Sequence, residues 1–313
     1  LEKREGYRRF GSTSPTATAN YGIFDFPNTT GKSFFRISTI AGPTTSIYYL
    51  ANDDNWTVLT GGGAGLTAAQ CSTTLAEGLC FIVNGSDANR YIAADGTTVT
   101  TSSTAAGHLY NSPIANKIKY FKEKLYLADY TVGTKRYKNG VMFSSVPLGL
   151  VSLVDGDHLV GVTTVNVTDT KYIQSSDTIQ VYRSGSLITT LTVTAKSKAT
   201  LTVTATGAAL NSADELWVNN TFTGQKIFRW ADNPSSGIDV QLYDTFGIAG
   251  DPNNEIKMFE DIGNYLVIGS DNTFSLWNGV NLQDTSLGIG CVSSNGYVKN
   301  LGSLFFIHYG GVY

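Results

Sequence analysis

Charged residues are scarce in this chain of 313 residues. Asp, Glu, Lys and Arg together make up 15% of it, whereas about a quarter is usual for a globular protein. The net charge is -3. A protein that grips nucleic acid needs clustered Lys and Arg to neutralise phosphates, so this composition argues against strong nucleic-acid binding.

Cysteine and histidine are also rare, with three of each. Cys71, Cys80 and Cys291 are too few and too scattered for a disulfide framework or a zinc site. Cys80 and Cys291 stand in or beside apolar runs, where we expect buried free thiols. No histidine has a second ligand two to four residues away, so the sequence predicts no metal site. His308 alternates with Phe306 along an apolar run, which is typical of a hydrogen-bonded core histidine.

Long apolar runs and catalytic motifs are missing as well. No run approaches the roughly 20 residues of a membrane span, so we expect none. The glycines at 61–65 lack the Lys-Ser/Thr of a phosphate loop. Asp155 opens a sequence like a calcium loop, but Asn166 replaces its final Glu. Residues 270–277 resemble the Asp-box of sialidase-type propellers, which is a structural turn. We therefore predict no enzyme, no catalytic residues and no cofactor.

The residues that are abundant favour strands. Residues 263–279 form a unit of apolar strand, polar turn and second strand, and Leu266 and Val267 point to opposite faces. Similar units occur at 78–96, 124–140 and 302–313. The offset from Leu79 to Leu125 and that from Leu266 to Leu304 are both near the roughly 40–50 residues of a propeller blade. The alternative is that an all-β chain repeats hairpins without forming a propeller.

Four short apolar runs near the start predict a blade-sized sheet. They lie at 22–26, 33–38, 46–50 and 56–59. Residues 67–77 form the one plausible short helix of this half, with Thr67 as its cap. The chain does not begin with Met and its last repeat stops in mid-pattern. We therefore expect a piece of a longer protein, whose propeller this chain need not contain in full.

Residues 151–221 differ from the rest of the chain in their composition and residue pattern. Thr and Val alternate there, which indicates strands with one buried face and one solvent-exposed face. The predicted strands are 160–167, 178–183, 187–195, 200–204 and 215–218. We interpret this segment as a small β-barrel or sandwich inserted into the propeller. The predicted organisation is a basic arm and linker at 1–20, first blades at 21–150, the insert at 151–221 and further blades at 222–313.

The basic arm is the candidate assembly interface. Basic and aromatic side chains alternate closely within it: Lys3, Arg4, Tyr7, Arg8, Arg9 and Phe10. Such an arm could bridge neighbouring acidic subunits, with the aromatic residues as anchors. The alternatives are a solvated tail and a remnant of a yeast secretion leader, whose processing end residues 1–5 resemble.

Five segments carry a resemblance to a known family. Residues 1–8, Leu-Glu-Lys-Arg-Glu-Gly-Tyr-Arg, resemble the N-terminal arm of tail nozzle proteins of short-tailed bacteriophages, also called packaged-DNA stabilisation proteins. Residues 120–127, 141–144, 259–268 and 293–298 are similar to later segments of that family. The resemblance covers most of the chain outside 151–221.

The resemblance implies a structural protein of the virion, in a ring that closes the distal tail and retains or conducts DNA. The implied partners are further copies of this chain and other tail proteins, with host-surface contact also open. Low charge suits a conduit past which DNA slides without sticking. Two alternatives remain open from the residues. One is a receptor- or glycan-binding propeller in which exposed Tyr48, Tyr110 and Tyr130 stack sugars, and the other is a propeller hydrolase.

Overall fold

The structure is a computed structural model, and it describes residues 17–31, 34–40, 44–51, 55–59, 63–103, 107–231, 244–248, 253–284 and 288–313. Within these ranges every regular element is a β-strand, so the predicted all-β class is confirmed. The described residues form two compact units. The first extends to Thr101 and includes Ile114–Ile118, and the second comprises Ser102–Pro113 and Lys119–Tyr313.

The first unit contains two antiparallel sheets. Sheet A has the order β1-β2-β3-β4, with β5 also paired to β3, and sheet B has the order β6-β7-β8-β9. Their strands are β1 Ala17–Asp25, β2 Phe34–Ile40, β3 Thr45–Leu50, β4 Trp56–Val58, β5 Ala64–Leu66, β6 Ser72–Ala76, β7 Leu79–Val83, β8 Arg90–Ile92 and β9 Val99–Thr101. Phe35, Ile37 and Ile47 of sheet A pack with Cys80 and Ile82 of sheet B in one buried cluster. The strands predicted here are therefore confirmed.

The predicted helix at 67–77 is wrong. Residues Ser72–Ala76 form strand β6, which pairs with β7. Thr73 and Thr74 are β-branched and suit a pleated surface better than a helix. Glu77 and Gly78 turn the chain with positive φ values of 51° and 73°, as a two-residue hairpin requires. Pairing with the apolar β7 thus outweighs the weak helix propensity of the segment.

Besides a sheet described below, the second unit contains three sheets that follow one another in the sequence, although residues Ile114–Ile118 of strand β10 belong to the first unit. Sheet C has the order β10-β11-β12-β19, sheet D the order β20-β21-β22-β23 and sheet E the order β24-β25-β26. Their strands are β10 Ile114–Phe121, β11 Lys124–Val132, β12 Lys135–Phe143, β19 Thr245–Gly247, β20 Met258–Ile262, β21 Tyr265–Gly269, β22 Phe274–Trp277, β23 Leu282–Asp284, β24 Tyr297–Asn300, β25 Ser303–His308 and β26 Gly311–Val312. Each repeated unit predicted from the sequence is a hairpin of one sheet.

Sheet D is covered on both faces. Leu266 and Ile268 of β21 pack with residues of sheet C, while Val267 packs with residues of sheet E. The indole of Trp277 stacks on Phe246 of sheet C with ring centroids 4.4 Å apart. Sheets C, D and E therefore stack face to face in chain order, and the opposite faces predicted for neighbouring β21 residues are confirmed.

The segment between β12 and β19 forms a separate six-stranded sheet, which we call the insert sheet. Its order is β13-β18-β15-β16-β17-β14. Its strands are β13 Leu150–Leu153, β14 Thr164–Asn166, β15 Thr178–Arg183, β16 Ser186–Lys196, β17 Thr200–Val203 and β18 Glu215–Val218. The outer strands meet at a bridge between Val154 and Val167, so the sheet curls round its own core. Strand β14 is shorter than the predicted strand at 160–167. Residues 159–163 do not continue it but form hydrogen bonds with residues 203–206.

Strands β12 and β19 flank the insert sheet in sequence and are neighbours in sheet C. Val141 pairs with Phe246 across this junction. The chain thus leaves sheet C, builds the insert sheet and returns to sheet C. The domain boundaries drawn from the sequence stay a prediction.

Candidate functional site

The predicted assembly residues lie outside the part of the chain that the structure describes. They are Lys3, Arg4, Tyr7, Arg8, Arg9 and Phe10. Their role stays a prediction. The described residues bring together two other groups of polar side chains, one between successive sheets and one beside the insert sheet.

Four charged residues join the first strands of three successive sheets in the second unit. Lys119 of β10 lies 3.0 Å from one carboxylate oxygen of Asp261 on β20 and also contacts Glu260. Lys299 of β24 lies 2.7 Å from the other Asp261 oxygen. We call these four residues the charged line. Because each ion pair crosses from one sheet to the next, β10, β20 and β24 lie side by side.

Burial and pairing act against each other within the charged line. Burial raises the pKa of Glu260, and the ammonium of Lys119 only partly offsets this. Burial lowers the pKa of Lys119, but the two carboxylates outweigh burial, so that the pKa is raised. Burial also raises the pKa of Asp261, yet hydrogen bonds from Lys299 and Lys119 lower it overall. Two cations compensate two carboxylates, which suits the cross-linking of strands.

The first strands of the first unit are also adjacent. The backbone N–H of Cys71, beside β6, donates to the carbonyl of Tyr21 on β1 at 3.0 Å. The N–H of Ile118 on β10 donates to Oγ of Ser72 on β6 at 3.2 Å. Hydrogen bonds thus take the place that ion pairs have in the second unit.

A buried ion pair lies where the insert sheet meets the chain that leaves it. Arg229 contacts Asp177, and their side chains are 1% and 0% exposed. Nε of Arg229 donates to the carbonyl of Tyr172 at 3.0 Å, and the N–H of Gln174 donates to Asp177 at 2.7 Å. Nε2 of Gln174 donates to the carbonyl of Trp230 at 2.6 Å. We call these five residues the buried junction.

The buried junction continues to a buried histidine. Asn111 donates to Oε1 of Gln174 at 2.6 Å, and Nε1 of Trp230 donates to the carbonyl of His108 at 3.0 Å. The N–H of Phe228 donates to Nδ1 of His108 at 3.4 Å. Burial lowers the pKa of His108 to about 4, so the imidazole is neutral at pH 7 and accepts this bond.

The polar contacts of the buried junction cross-link segments of the chain. Burial raises the pKa of Asp177 despite the facing guanidinium of Arg229. Tyr172 donates to one oxygen of Asp244 at 2.6 Å, and Lys171 pairs with the other at 2.6 Å. No substrate reaches an ion pair this deeply buried. These contacts fix the insert sheet to residues that precede β19 in the chain.

The metal and turn motifs considered from the sequence have local structural roles. The N–H of Asn166 donates to Nε2 of His158 at 3.2 Å, and Asp157 accepts the N–H of Ser212 at 2.9 Å. Ser270 shares a hydrogen bond with Thr273 across its turn, at 2.6 Å. The described ranges contain no group of three or more His, Cys, Asp or Glu residues placed to hold a metal ion.

Several single-residue predictions can be checked. Cys80 and Cys291 are free and buried, as expected. His308 makes the expected hydrogen bond, with its Nδ1 3.1 Å from the carbonyl oxygen of Gly290, but it is only partly buried and not a core residue. No helix among the described residues has the length and apolar character needed to cross a membrane.

The prediction of exposed tyrosines is wrong at two of three positions. Tyr48 and Tyr130 are 6% and 5% exposed. The guanidinium of Arg36 lies 5.2 Å from the ring centroid of Tyr48, and Tyr130 stacks on Tyr137 at 5.1 Å. Tyr110 is half-buried. Rings covered in this way present no face to a sugar.

Sequence reasoning missed both polar groups. Arg229 stands between Phe228 and Trp230, and a charge flanked by aromatic residues was a signal for a buried ion pair. Nothing in the sequence marks Asp177 as its partner, since 51 other residues separate them. The charged line likewise depends on which strands become neighbours.

The chain matches no protein-family model, and no curated protein matches it. Among solved structures it is similar to the extracellular domain of a hybrid two-component system of B. thetaiotaomicron, with 10% identity and a TM-score of 0.33; the alignment covers 97% of this chain and 39% of the other. It is also similar to the computationally designed protein Ika8, with 12% identity and a TM-score of 0.28, over 94% of this chain and 82% of the other. At these TM-scores neither likeness supports an argument about fold or function.

Proposed function

We propose that this chain is a structural protein of a bacteriophage tail. In this proposal its sheets are blades of a β-propeller, and copies of it form a nozzle or hub ring that closes the distal tail and retains or conducts DNA. Its location is the virion, and its partners are further copies and other tail proteins.

The stacking of sheets C, D and E carries the proposal. Propellers repeat four-stranded sheets around a central channel. Sheets C and D have four strands each, and three successive sheets pack face to face with their first strands side by side. This is the arrangement that adjacent blades need.

The segments that resemble tail nozzle proteins supply the second line of support. Residues 120–127 run from the end of β10 through its turn into β11, and residues 259–268 run from β20 through its turn into β21. Residues 293–298 lead into β24. Two of the similar segments thus span the first hairpins of sheets C and D, a third leads into the first strand of sheet E, and residues 141–144 lie at the end of β12.

The charges of the first strands fit a passive conduit. Lys119 and Lys299 are each paired with a carboxylate. Paired lysines do not release counterions from DNA as free ones do, so they add little affinity for phosphates. The sugar-binding alternative has less support, because Tyr48 and Tyr130 are covered.

Immunogold labelling tests this proposal. Antibodies against the purified chain would be applied to intact virions of the virus that encodes it, with pre-immune serum as the control. We expect gold at the distal end of the tail. Absence of the chain from purified virions, or label confined to the capsid, would contradict the proposal.

A further inference from the structure

One loop of the insert sheet presents apolar side chains to solvent from a fixed backbone. Residues 155–161, which we call the insert tip, connect the end of β13 to the approach of β14. Leu159 is 79% exposed and Val160 is 63% exposed. Two adjacent aliphatic side chains with this exposure gain nothing from folding, because hydrophobic stabilisation needs removal from water.

Hydrogen bonds hold the first half of the insert tip. His158 and Leu210 exchange backbone hydrogen bonds, with N–O distances of 2.8 and 2.9 Å. The carboxylate of Asp157 accepts the N–H of Ser212 at 2.9 Å. The tip is therefore tied to the segment between β17 and β18.

The second half is held in the same way. The N–H of Gly161 donates to the carbonyl of Thr206 at 2.9 Å, and the hydroxyl of Thr206 donates to the carbonyl of Leu159 at 3.2 Å. Gly161 has a φ of 84°, a conformation that favours glycine. A backbone bonded on both sides keeps the two aliphatic side chains outward, and this pre-organisation lowers the entropy cost of binding.

The insert tip has an acidic surround. Asp155 and Asp157 precede Leu159 and Val160 within the tip and are exposed. Arg183, which interacts electrostatically with Asp157, is already paired with Asp214 at 2.7 Å. An apolar pair bordered by carboxylates favours a partner that has apolar or aromatic groups among cations. It disfavours an anionic membrane surface, which would repel the carboxylates.

The basic arm has this chemistry. Residues 1–12 contain four basic residues and two acidic ones, Glu2 and Glu5, so that the net charge of the segment is +2. Tyr7 and Phe10 stand among those charges and supply the kind of aromatic side chain that dominates interface energetics. Charge and apolar character both match the insert tip.

We propose that the insert tip is the docking surface for the basic arm of a second copy of this chain. Leu159 and Val160 receive Tyr7 and Phe10, and Asp155 and Asp157 face the arginines. This deepens the proposed function, since it names the contact that would join neighbouring copies in a ring. The labelling of virions does not depend on it, so the two can fail separately.

Peptide binding tests the contact. A fluorescein-labelled peptide of residues 1–12 would be titrated with the full chain and followed by anisotropy. We expect saturable binding that Leu159→Ser with Val160→Ser weakens by about tenfold or more. Asp155→Asn with Asp157→Asn removes the charges but keeps one side-chain oxygen at each position, and it should weaken binding several-fold, as should added salt. Val280→Ser is the matched control, because Val280 is 78% exposed on the turn between β22 and β23.

Three results would overturn the proposal: no saturable binding, equal binding of a scrambled peptide, or binding that both double variants leave unchanged. If the variant Leu159→Ser with Val160→Ser does not fold, the peptide affinity of Asp155→Asn with Asp157→Asn alone tests the contact. Sedimentation velocity of the full chain then tests whether the contact joins copies. We expect concentration-dependent association of the full chain. Both Leu159→Ser with Val160→Ser and deletion of residues 1–12 should abolish it. A chain that binds the peptide yet stays monomeric at every concentration contradicts docking between copies.

Discussion

Single residues with left-handed backbone set the first hairpins of sheets B, C and E. Glu77 and Gly78 turn β6 into β7, Lys122 and Glu123 turn β10 into β11, and Leu301 leads the turn from β24 to β25, all with positive φ. Such two-residue turns favour Asn-Gly or Asp-Gly. Because four of these five residues are not glycine, the sequence signals for a tight turn were weak, although the hairpins themselves were predicted from the flanking apolar runs.

Replacing Glu123 tests the cost of this conformation. Its φ is 62°, and left-handed backbone costs an ordinary residue roughly 1–2 kcal/mol. We expect Glu123→Gly to raise the free energy of unfolding by about 1 kcal/mol, after the added flexibility of the unfolded chain is counted. Gly78→Ala, at a φ of 73° with no steric obstacle, should lower it by a similar amount. Urea unfolding measures both; opposite signs would refute the account of these turns.

His108 predicts a pH dependence. An unfolded histidine titrates near 6.5, whereas burial lowers the pKa of His108 to about 4. Between these values the unfolded chain binds the proton and the folded chain does not, so stability falls as the pH drops through this window and levels off below it. From pH 7 to pH 5 we expect a loss of about 2 kcal/mol from this group. Urea unfolding of His108→Gln is the control, since it should lack this component; an identical pH profile would contradict the assignment.

Among the elements, those with a regular apolar pattern were predictable and those defined by distant pairing were not. The hairpin of β21 and β22 follows from alternation and from the Ser270–Asn272 turn. Strand β6 was missed because its neighbour β7 decides its conformation. The pairing of β12 with β19 joins residues that more than 100 positions separate, and no local pattern encodes it.

The buried junction makes a prediction about the insert sheet. Asp177→Ala would leave the Arg229 guanidinium buried without its carboxylate, and such a change costs about 3–5 kcal/mol. The double variant Asp177→Leu with Arg229→Met removes both charges and should recover most of that loss. Urea unfolding followed by tryptophan fluorescence reports it, because Trp230 belongs to the junction. A double variant as unstable as the single one would show that packing, and not charge pairing, governs this site.

At the scale of the molecule, the account depends on how sheets C, D and E are arranged. Their face-to-face packing rests on apolar contacts such as Phe274 against Phe306, with ring centroids 4.7 Å apart, and the charged line joins their first strands. The all-β class and the repeated hairpins followed from composition and alternation. The order in which sheets stack could not be predicted, because side chains such as Lys119 and Asp261 become neighbours only after sheets C and D have both formed.

Electron cryo-microscopy of virion tails, at a resolution that separates strands about 4.7–4.9 Å apart, tests the central claim most directly. The account predicts copies of this chain around the axis of the distal tail. In each copy, sheets C, D and E should stand as successive blades, with β10, β20 and β24 along a common channel. Density for the chain elsewhere in the virion, or sheets whose first strands diverge from one another, would contradict it.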